Sequence, residues 1–137
     1  PPKNIRIKVD NELPTIEFEK TRIEQIFQNL ISNAIKYMDK PEGLIKIGST
    51  SKNSKFNIYI ADNGPGIEEK YYDKIFQIFQ TLNARDNFES TGVGLSLVKK
   101  IIEMDNGKIW VESEVNKGST FYISLPKINS TTKKKRV

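Results

Sequence analysis

The chain has 137 residues, of which 36% are hydrophobic, and carries a formal net charge of +5. This is enough for one compact core but not for two ordinary domains. No apolar stretch approaches the roughly 20 residues that a membrane-spanning helix needs, so we expect a soluble domain. The absence of cysteine and histidine excludes disulfides, thiol chemistry, zinc ribbons and the commonest general base. Any chemistry must therefore use carboxylates, amides, lysines and backbone N–H groups.

The positive charge is concentrated near the C-terminus, where residues 133–136 are Lys-Lys-Lys-Arg. The rest of the chain is close to neutral. A basic run at a terminus is usually solvated, so we expect no nucleic-acid partner. We expect one domain over residues 1–127 and a disordered basic tail over 128–137, because the tail has little apolar content to bury.

The first third of the chain combines short strands with one long helix. Residues 5–9 alternate apolar and polar side chains, and residues 15–18 do so again, which predicts two short strands joined by a turn. Thr21 and Glu24 form a capping-box pattern, and apolar residues then recur with helical spacing to Met38. This pattern predicts an amphipathic helix.

The middle of the chain predicts a hairpin followed by irregular structure. Residues 44–48 and 56–61 have strand patterns on either side of a polar turn. Residues 68–79 favour a short helix. Residues 80–91 are polar without periodicity, which indicates a mobile loop.

The last third predicts a helix over about residues 91–105, with Gly107 as its C-terminal cap. Strands at 109–111 and 121–125 then form a second hairpin. The order ββ-α-ββ-α-α-ββ separates strands from helices. It predicts an α+β fold, a two-layer α/β sandwich with a mixed, mostly antiparallel sheet and about three helices on one face.

Three polar residues share one stripe of the long helix. Asn29, Asn33 and Lys36 lie at positions i, i+4 and i+7, away from the apolar face. A solvated helix face is the simplest explanation. Asparagine is a poor helix former, however, so two asparagines on one stripe indicate another reason for their presence.

Residues 62–67, Asp-Asn-Gly-Pro-Gly-Ile, follow an apolar strand. The glycines permit positive φ angles and close backbone approach to a ligand, although a plain tight turn has the same composition. The Asp62 carboxylate at the strand end could accept hydrogen bonds from the exocyclic amine of a base. The two interpretations are compatible.

Residues 91–95, Thr-Gly-Val-Gly-Leu, open the last predicted helix. Glycine N–H groups and the positive end of the helix dipole coincide there, which favours a phosphate cradle. Glycines also serve ordinary helix–strand packing. The run is neither a Walker A motif nor a full dinucleotide fingerprint.

Taken in order, these segments resemble the GHKL nucleotide-binding superfamily with its Bergerat fold, and in particular its histidine kinase branch. The resemblance runs from about residue 5 to residue 126 and includes the short stretch Phe79-Gln80-Thr81-Leu82, which is similar to the phytochrome-like group. The matching segments are 29–37 (N box), 62–67 (first glycine box), 74–79 (F box), 91–95 (second glycine box) and 118–126 (terminal hairpin).

The resemblance implies a role for each polar residue of the N box in binding Mg-ATP. Asn33 would ligate Mg²⁺ through its amide oxygen. Asn29 and Lys36 would approach the phosphates, and Tyr37 would line the adenine pocket. One protein ligand completed by phosphates and waters suits a small ion that dehydrates reluctantly.

The glycine boxes and the segment between them imply the remaining nucleotide contacts. Asp62 would hydrogen-bond the adenine amine, Gly64 and Gly66 would let their loop approach the base and the lid, and Gly92 and Gly94 would supply backbone donors to phosphate. Residues 80–90 would form an ATP lid. The other implied nucleotide-binding positions are Ile67, Arg85 (γ-phosphate), Thr91, Val93 and Leu95. The family usually has glycine where Ser90 stands.

One position separates the classes within the superfamily. The ATPases of the topoisomerase, mismatch-repair and chaperone kind use a glutamate one turn before the magnesium asparagine as a general base. Asn29 occupies that position here and cannot accept a proton at neutral pH. Phosphoryl transfer to an acceptor needs positioning and charge neutralisation more than a base, which favours the histidine kinase. An ATPase and an anti-sigma-type serine kinase remain the alternatives.

The acceptor histidine must lie elsewhere, because this chain has none. The resemblance implies a histidine-containing dimerisation and phosphoacceptor domain, N-terminal in the full-length protein, and a downstream response regulator. It also implies a homodimeric full-length protein. We expect this domain to be cytoplasmic, with any membrane anchor in other segments.

Overall fold

The structure, a computed structural model, describes residues 4–10, 20–52, 55–77 and 92–126. Two α-helices and one sheet account for most of these residues. The helices are α1 (Lys20–Lys36) and α2 (Gly92–Met104). The strands are β1 (Ile5–Val9), β2 (Gly43–Lys52), β3 (Lys55–Asp62), β4 (Lys108–Glu114) and β5 (Gly118–Pro126). Two short 3₁₀ turns, Glu69–Tyr71 and Lys74–Phe76, lie between β3 and α2.

The five strands form one mixed sheet in the order β1-β2-β3-β5-β4. Both predicted hairpins are confirmed, since β2 pairs antiparallel with β3 and β4 pairs antiparallel with β5. The β3–β5 pair is also antiparallel and joins the two hairpins. β1 instead pairs in parallel with β2, placing Ile7 opposite Ile45. The second strand predicted at residues 15–18 lies outside the described residues.

The hydrophobic core lies between one face of the sheet and the two helices. Strand residues alternate between faces, so the core side chains of β2, β3 and β5 are two residues apart along each strand. The core consists of Ile26 and Leu30 of α1, Leu95, Val98, Ile101 and Ile102 of α2, and Ile45, Ile47, Ile58, Ile60, Val111, Phe121, Ile123 and Leu125 of the sheet. Burying each of these side chains stabilises the fold by about 1.5–3 kcal/mol. The predicted α+β two-layer sandwich is confirmed.

The C-terminal end of α2 differs from the prediction in one detail. Asn106, with φ of 63°, is the residue in the left-handed conformation, and the N–H of Gly107 closes the helix by bonding the Ile102 carbonyl at 2.9 Å. Asparagine tolerates this conformation better than most residues. Gly107 is needed for space, because a methyl group there would lie 2.6 Å from the Ser124 carbonyl oxygen.

The helix predicted over residues 68–79 is, in its described part, the pair of 3₁₀ turns. Tyr72, Ile75 and Phe76 pack against the core from this segment. Phe76 meets Phe121 edge to face, with ring centroids 6.0 Å apart. These anchors hold the segment against the sheet without a longer helix.

Three expectations cannot be compared with the structure. The lid at residues 80–90 and the basic tail at 128–137 lie outside the described residues, as do Arg85 and Thr91 within or beside the lid. Within the described ranges, no helix is long and apolar enough to cross a membrane.

Candidate functional site

The three polar segments singled out in the sequence meet where α1 ends, β3 ends and α2 begins. A methyl group at Gly94, in the first turn of α2, would lie 2.9 Å from the Asn29 amide oxygen on α1. A methyl group at Gly64 would lie 3.9 Å from the Tyr37 carbonyl oxygen. Asn29 within α1 and Tyr37 just after it therefore each lie beside one of the two glycine segments.

Asp62 ends β3 on the face of the sheet that carries the helices. It follows Ile58 and Ile60 at two-residue spacing, and its neighbours across the sheet are Ile45 and Ser119. The alternation that buries the two isoleucines therefore places a carboxylate at the margin of the core. This is the reason the side chain is half-buried.

Burial raises the pKa of the Asp62 carboxyl above its ordinary value, because a charged group is less stable away from water. The backbone N–H groups of Gly64 and Ser119 and the positive charge of Lys40 act in the opposite direction. The carboxylate of Asp39 adds to the increase. The Gly64 N–H donates to one oxygen of Asp62 at 2.8 Å, which fixes the orientation of the carboxylate.

Asn33 carries a buried amide oxygen with no hydrogen-bond partner among the residues that the structure describes. A buried acceptor without a partner typically costs about 1–3 kcal/mol. A solvated helix face, the simplest explanation for this stripe, does not fit a buried oxygen. A neutral amide oxygen is a suitable ligand for Mg²⁺, and one protein ligand is enough when phosphates and waters supply the others. The residue present therefore fits the metal that the sequence implied.

Asn29 is held in one orientation beside the start of α2. Its amide nitrogen donates to the Gln25 carbonyl at 2.7 Å, so its oxygen faces Gly94. The first N–H groups of a helix have no partner within the helix and form its positive end. Asn29 and the N-terminus of α2 therefore offer polar groups to the same space.

Lys36 and Tyr37 lie at the exposed end of α1. The Lys36 ammonium is 5.8 Å from the centre of the Tyr37 ring, and Tyr37 is 45% exposed. A cation at a helix C-terminus is favoured by the helix dipole. Both side chains are exposed.

The glycine loop, which we define as residues 62–67, is attached to the sheet on its β2 side by Asn63. The Asn63 amide accepts from the Leu44 N–H at 2.8 Å and donates to the Glu42 carbonyl at 3.2 Å. The Asn63 backbone N–H also donates to the Leu44 carbonyl at 3.2 Å. Asn63 therefore continues the hydrogen bonding between β2 and β3 by one residue beyond the Ile45–Asp62 pair.

Lys40 attaches the same loop to the segment after α1. Its ammonium donates to the Gly64 carbonyl at 3.1 Å and is 3.0 Å from the Asp39 carboxylate. Neither Lys40 nor Asn63 was singled out from the sequence. A lysine between a helix and a strand has no periodicity that marks it, so this contact could be found only from the tertiary structure.

The two glycines of the loop serve different purposes. Gly66 has φ of 80°, which favours glycine, and a side chain there would meet the backbone of Glu114 and Val115. Gly64 does not have a positive φ, but a methyl group there would lie 2.9 Å from the Asp62 carboxylate. The approach of these glycines to a base or lid stays a prediction.

The remaining sequence-predicted residues divide by location. Leu95 is buried in the core, and Ile67 is partly buried and packs against the core. Gly92 and Val93 open α2. Ser113 and Tyr72, which the sequence did not mark, contact the glycine loop or the strand beside it and are described below.

Comparison with known proteins agrees with this arrangement. The family described as histidine kinase-, DNA gyrase B- and HSP90-like ATPase matches residues 18–129. The chain belongs to this family. Cyanobacterial phytochrome A of Nostoc sp. is 45% identical over 114 residues, which are 83% of this chain and 15% of that protein. The chain therefore spans only a small part of the length of such curated relatives.

Solved histidine kinase structures share the fold. The nucleotide-free catalytic domain of ThkA has a TM-score of 0.75 and 38% identity, covering 90% of this chain and 80% of that chain. ThkA in complex with the response regulator protein TrrA has a TM-score of 0.70 and 36% identity, covering 90% and 34%. Full-length ShkA in complex with AMPPNP has a TM-score of 0.76 and 26% identity, covering 90% and 25%.

Proposed function

We propose that this chain binds Mg-ATP and donates its γ-phosphate to a histidine on a separate dimerisation and phosphoacceptor domain in two-component signal transduction. The observation that carries the proposal is the buried amide oxygen of Asn33, which has no hydrogen-bond partner among the described residues. One turn earlier on α1, the Asn29 amide lies beside Gly94 in the first turn of α2. This is a site for phosphates and a cation without a general base for water.

The adenine end of the site is assigned to Asp62. Its carboxylate is a fixed acceptor at the margin of an apolar core, which suits the amine of a planar base. The backbone carbonyl of Tyr37 lies beside Gly64 in the same region. The fixed carboxylate supports adenine recognition by hydrogen bonding at the edge of the base.

The phosphate end is assigned to Asn29, Lys36 and the backbone N–H groups of Gly92 and Gly94. Helix N-termini favour anions, and the amide of Asn29 adds a dipole that is already oriented. A lysine contributes a mobile positive charge. Bound magnesium would neutralise phosphate charge, and Asn33 would hold it through its amide oxygen.

The transfer itself needs little covalent chemistry from this chain. The bond between the γ-phosphorus and the β–γ bridging oxygen breaks, and a bond to the imidazole nitrogen of the acceptor forms. The residues of this chain orient the nucleotide and neutralise its charge, while the acceptor supplies the nucleophile. Asn29 cannot accept a proton at neutral pH, so water is not activated.

The proposed partners follow from the absence of histidine in this chain, because the phosphoryl acceptor must then be on another domain. The ThkA–TrrA complex, in which a related kinase binds a response regulator, supports a response regulator as a downstream partner. We propose a histidine-containing acceptor domain N-terminal to this domain in a homodimeric full-length protein. The likeness to phytochrome A supports a parent kinase of the phytochrome-like group.

The test is a phosphotransfer assay with radiolabelled ATP. The chain alone should acquire no label on histidine and should hydrolyse ATP slowly, whereas an added acceptor domain from the parent kinase should become labelled on histidine. Calorimetric titration with and without Mg²⁺ should show magnesium-assisted ATP binding. Rapid turnover by the isolated chain would favour the ATPase class, and label on an acceptor serine would favour the serine kinase class.

A further inference from the structure

The side chain of Ser113, near the end of β4, forms a hydrogen-bond junction with the glycine loop. Its hydroxyl oxygen lies 2.7 Å from the Ile67 nitrogen, 2.8 Å from the Gly118 carbonyl oxygen and 2.8 Å from the Ser119 hydroxyl. A serine hydroxyl has one hydrogen and two lone pairs. It can accept from the Ile67 N–H and the Ser119 hydroxyl while donating to Gly118. That assignment satisfies the hydroxyl completely.

The backbone of Ser113 has a second partner, the hydroxyl of Tyr72. The Ser113 N–H donates to this hydroxyl at 2.8 Å, and the hydroxyl donates to the Ser113 carbonyl at 2.9 Å. β4 is at the edge of the sheet, where outward-facing backbone groups have no neighbouring strand. At Ser113, the Tyr72 hydroxyl forms the two backbone hydrogen bonds that a neighbouring strand would otherwise form. It therefore holds the segment after the glycine loop against β4.

The turn between β4 and β5 completes the attachment. The Asn116 N–H donates to the Pro65 carbonyl at 2.6 Å. Gly66 fits against the backbone of Glu114 only because it lacks a side chain. Contacts with the hairpin thus occur at three consecutive loop residues, 65, 66 and 67.

The junction also reaches the carboxylate of Asp62. Ser119, whose hydroxyl contacts Ser113, donates its backbone N–H to Asp62 and lies opposite it across the sheet. Ser113 is therefore hydrogen-bonded to the end of the loop at Ile67 and, through Ser119, to its beginning at Asp62. A change at Ser113 would affect both ends of the loop.

We propose that Ser113 and Tyr72 are positioning residues for adenine recognition, acting through the glycine loop on the carboxylate of Asp62. The inference rests on the proposed function, since it concerns the base-selecting end of that site. Neither residue is assigned a contact with the nucleotide. Their role is to keep one acceptor in one place, so that the amine of adenine is preferred over the carbonyl of guanine.

The experiment compares Ser113→Ala, Ser113→Thr and Tyr72→Phe with the unaltered chain. Tyr71→Phe is the matched control, because Tyr71 is the adjacent tyrosine and contacts Lys70 and Lys74 instead of β4. Affinities for ATP, GTP and inorganic tripolyphosphate are measured with Mg²⁺. Amide exchange at Ile67 and Gly64 is followed by NMR without nucleotide.

Ser113→Ala should reduce the ratio of ATP to GTP affinity by about fivefold or more, as expected from loss of a partly buried hydrogen bond. Tripolyphosphate affinity should stay within about twofold of the unaltered chain, since the phosphate end is intact. Exchange at Ile67 should become faster. Ser113→Thr, which keeps the hydroxyl, should restore the ratio, Tyr72→Phe should reduce it, and Tyr71→Phe should not.

Two results would overturn the inference. One is an unchanged ATP-to-GTP ratio in both Ser113→Ala and Tyr72→Phe when the unaltered chain prefers ATP. The other is an equal loss of affinity for all three ligands, which would indicate a general structural role. If Ser113→Ala does not fold, the ATP-to-GTP affinity ratio of Tyr72→Phe tests the inference by itself. Failure of the proposed function looks different, because the unaltered chain would then bind neither ATP nor tripolyphosphate.

Discussion

Gly94 on α2 and Asn29 on α1 are so close that a methyl group added at Gly94 would lie 2.9 Å from the Asn29 amide oxygen. Turning the amide away would break the hydrogen bond that its nitrogen donates to the Gln25 carbonyl at 2.7 Å. The absence of a side chain at residue 94 therefore lets the start of α2 lie this close to the Asn29 amide. This contact joins two sequence segments that are more than 60 residues apart.

The first prediction concerns this contact. Gly94→Ala should weaken ATP binding about tenfold, a change of about 1.4 kcal/mol, because Asn29 must move. Alanine stabilises a helix by about 0.5–1 kcal/mol relative to glycine, and this gain should offset the cost of moving Asn29. Thermal stability should therefore change little. Calorimetry and thermal unfolding on the same samples separate the two effects.

The matched control for that prediction is Gly48→Ala. A methyl group at Gly48 would meet the ring of Tyr59 on the face of the sheet away from the helices. It should leave ATP affinity unchanged within about twofold. Equal loss of affinity in both variants would show that the Gly94–Asn29 contact has no specific role.

The second prediction concerns the metal. Asn33→Ala should weaken ATP binding at least tenfold with Mg²⁺ present, about 1.4 kcal/mol or more, and should make binding nearly independent of Mg²⁺. Stability without nucleotide should stay the same or rise, because the removed oxygen is a buried acceptor with no partner among the described residues. Titrations with Mg²⁺ and with EDTA measure this. Gln28→Ala, at an exposed position of α1, is the control and should keep the full effect of magnesium.

The third prediction concerns base selection. The chain should prefer ATP to GTP, since a carboxylate at residue 62 only accepts hydrogen bonds and would face a guanine carbonyl. Leaving two acceptors opposed costs about 1–3 kcal/mol. Asp62→Asn should narrow the preference because its amide can also donate. Competition between the two nucleotides measures the ratio, and equal affinity in the unaltered chain would remove this role from Asp62.

The fourth prediction concerns pH. Burial raises the folded-state pKa of Asp62, so its contribution to stability is complete below the ordinary aspartate pKa and is lost as pH rises through the raised value. Asp62→Asn should therefore unfold a few degrees higher than the unaltered chain at neutral pH. The difference should shrink toward acidic pH. A difference that is the same at every pH would contradict the assignment to ionisation.

The fifth prediction concerns stability away from the site. Arg22 of α1 and Asp105 after α2 form an ion pair at 3.1 Å, with the aspartate side chain 3% exposed. Arg22→Met should lower the free energy of unfolding by about 1–3 kcal/mol, because the buried carboxylate of Asp105 loses a partner. The cost should not be larger, because Arg22 is itself partly exposed. Chemical denaturation measures this.

Lys99→Met is the control for the ion pair. Lys99 and Glu103 are 3.9 Å apart with side chains 44% and 57% exposed. Exposed pairs contribute about 0.2–1 kcal/mol at most. Similar costs for Arg22→Met and Lys99→Met would show that burial at Asp105 is not the cause.

Much of this fold was determined by local sequence patterns. The helical spacing of apolar residues from Ile23 to Met38 predicted α1, and two-residue alternation predicted both hairpins, because each pattern matches the geometry of its backbone. The polar segments at 29–37, 62–67 and 91–95 also indicated the residues of the candidate site. These inferences need only residues that are close in sequence.

The tertiary structure decided the rest. The parallel pairing of β1 with β2 and the junction of β3 with β5 follow from packing against a shared core, which no local pattern encodes. The contacts of Lys40 and Ser113 with the glycine loop join residues 24 and 46 positions apart. Hydrogen bonds depend on distance and direction in space, and only the assembled sheet and helices bring these atoms together.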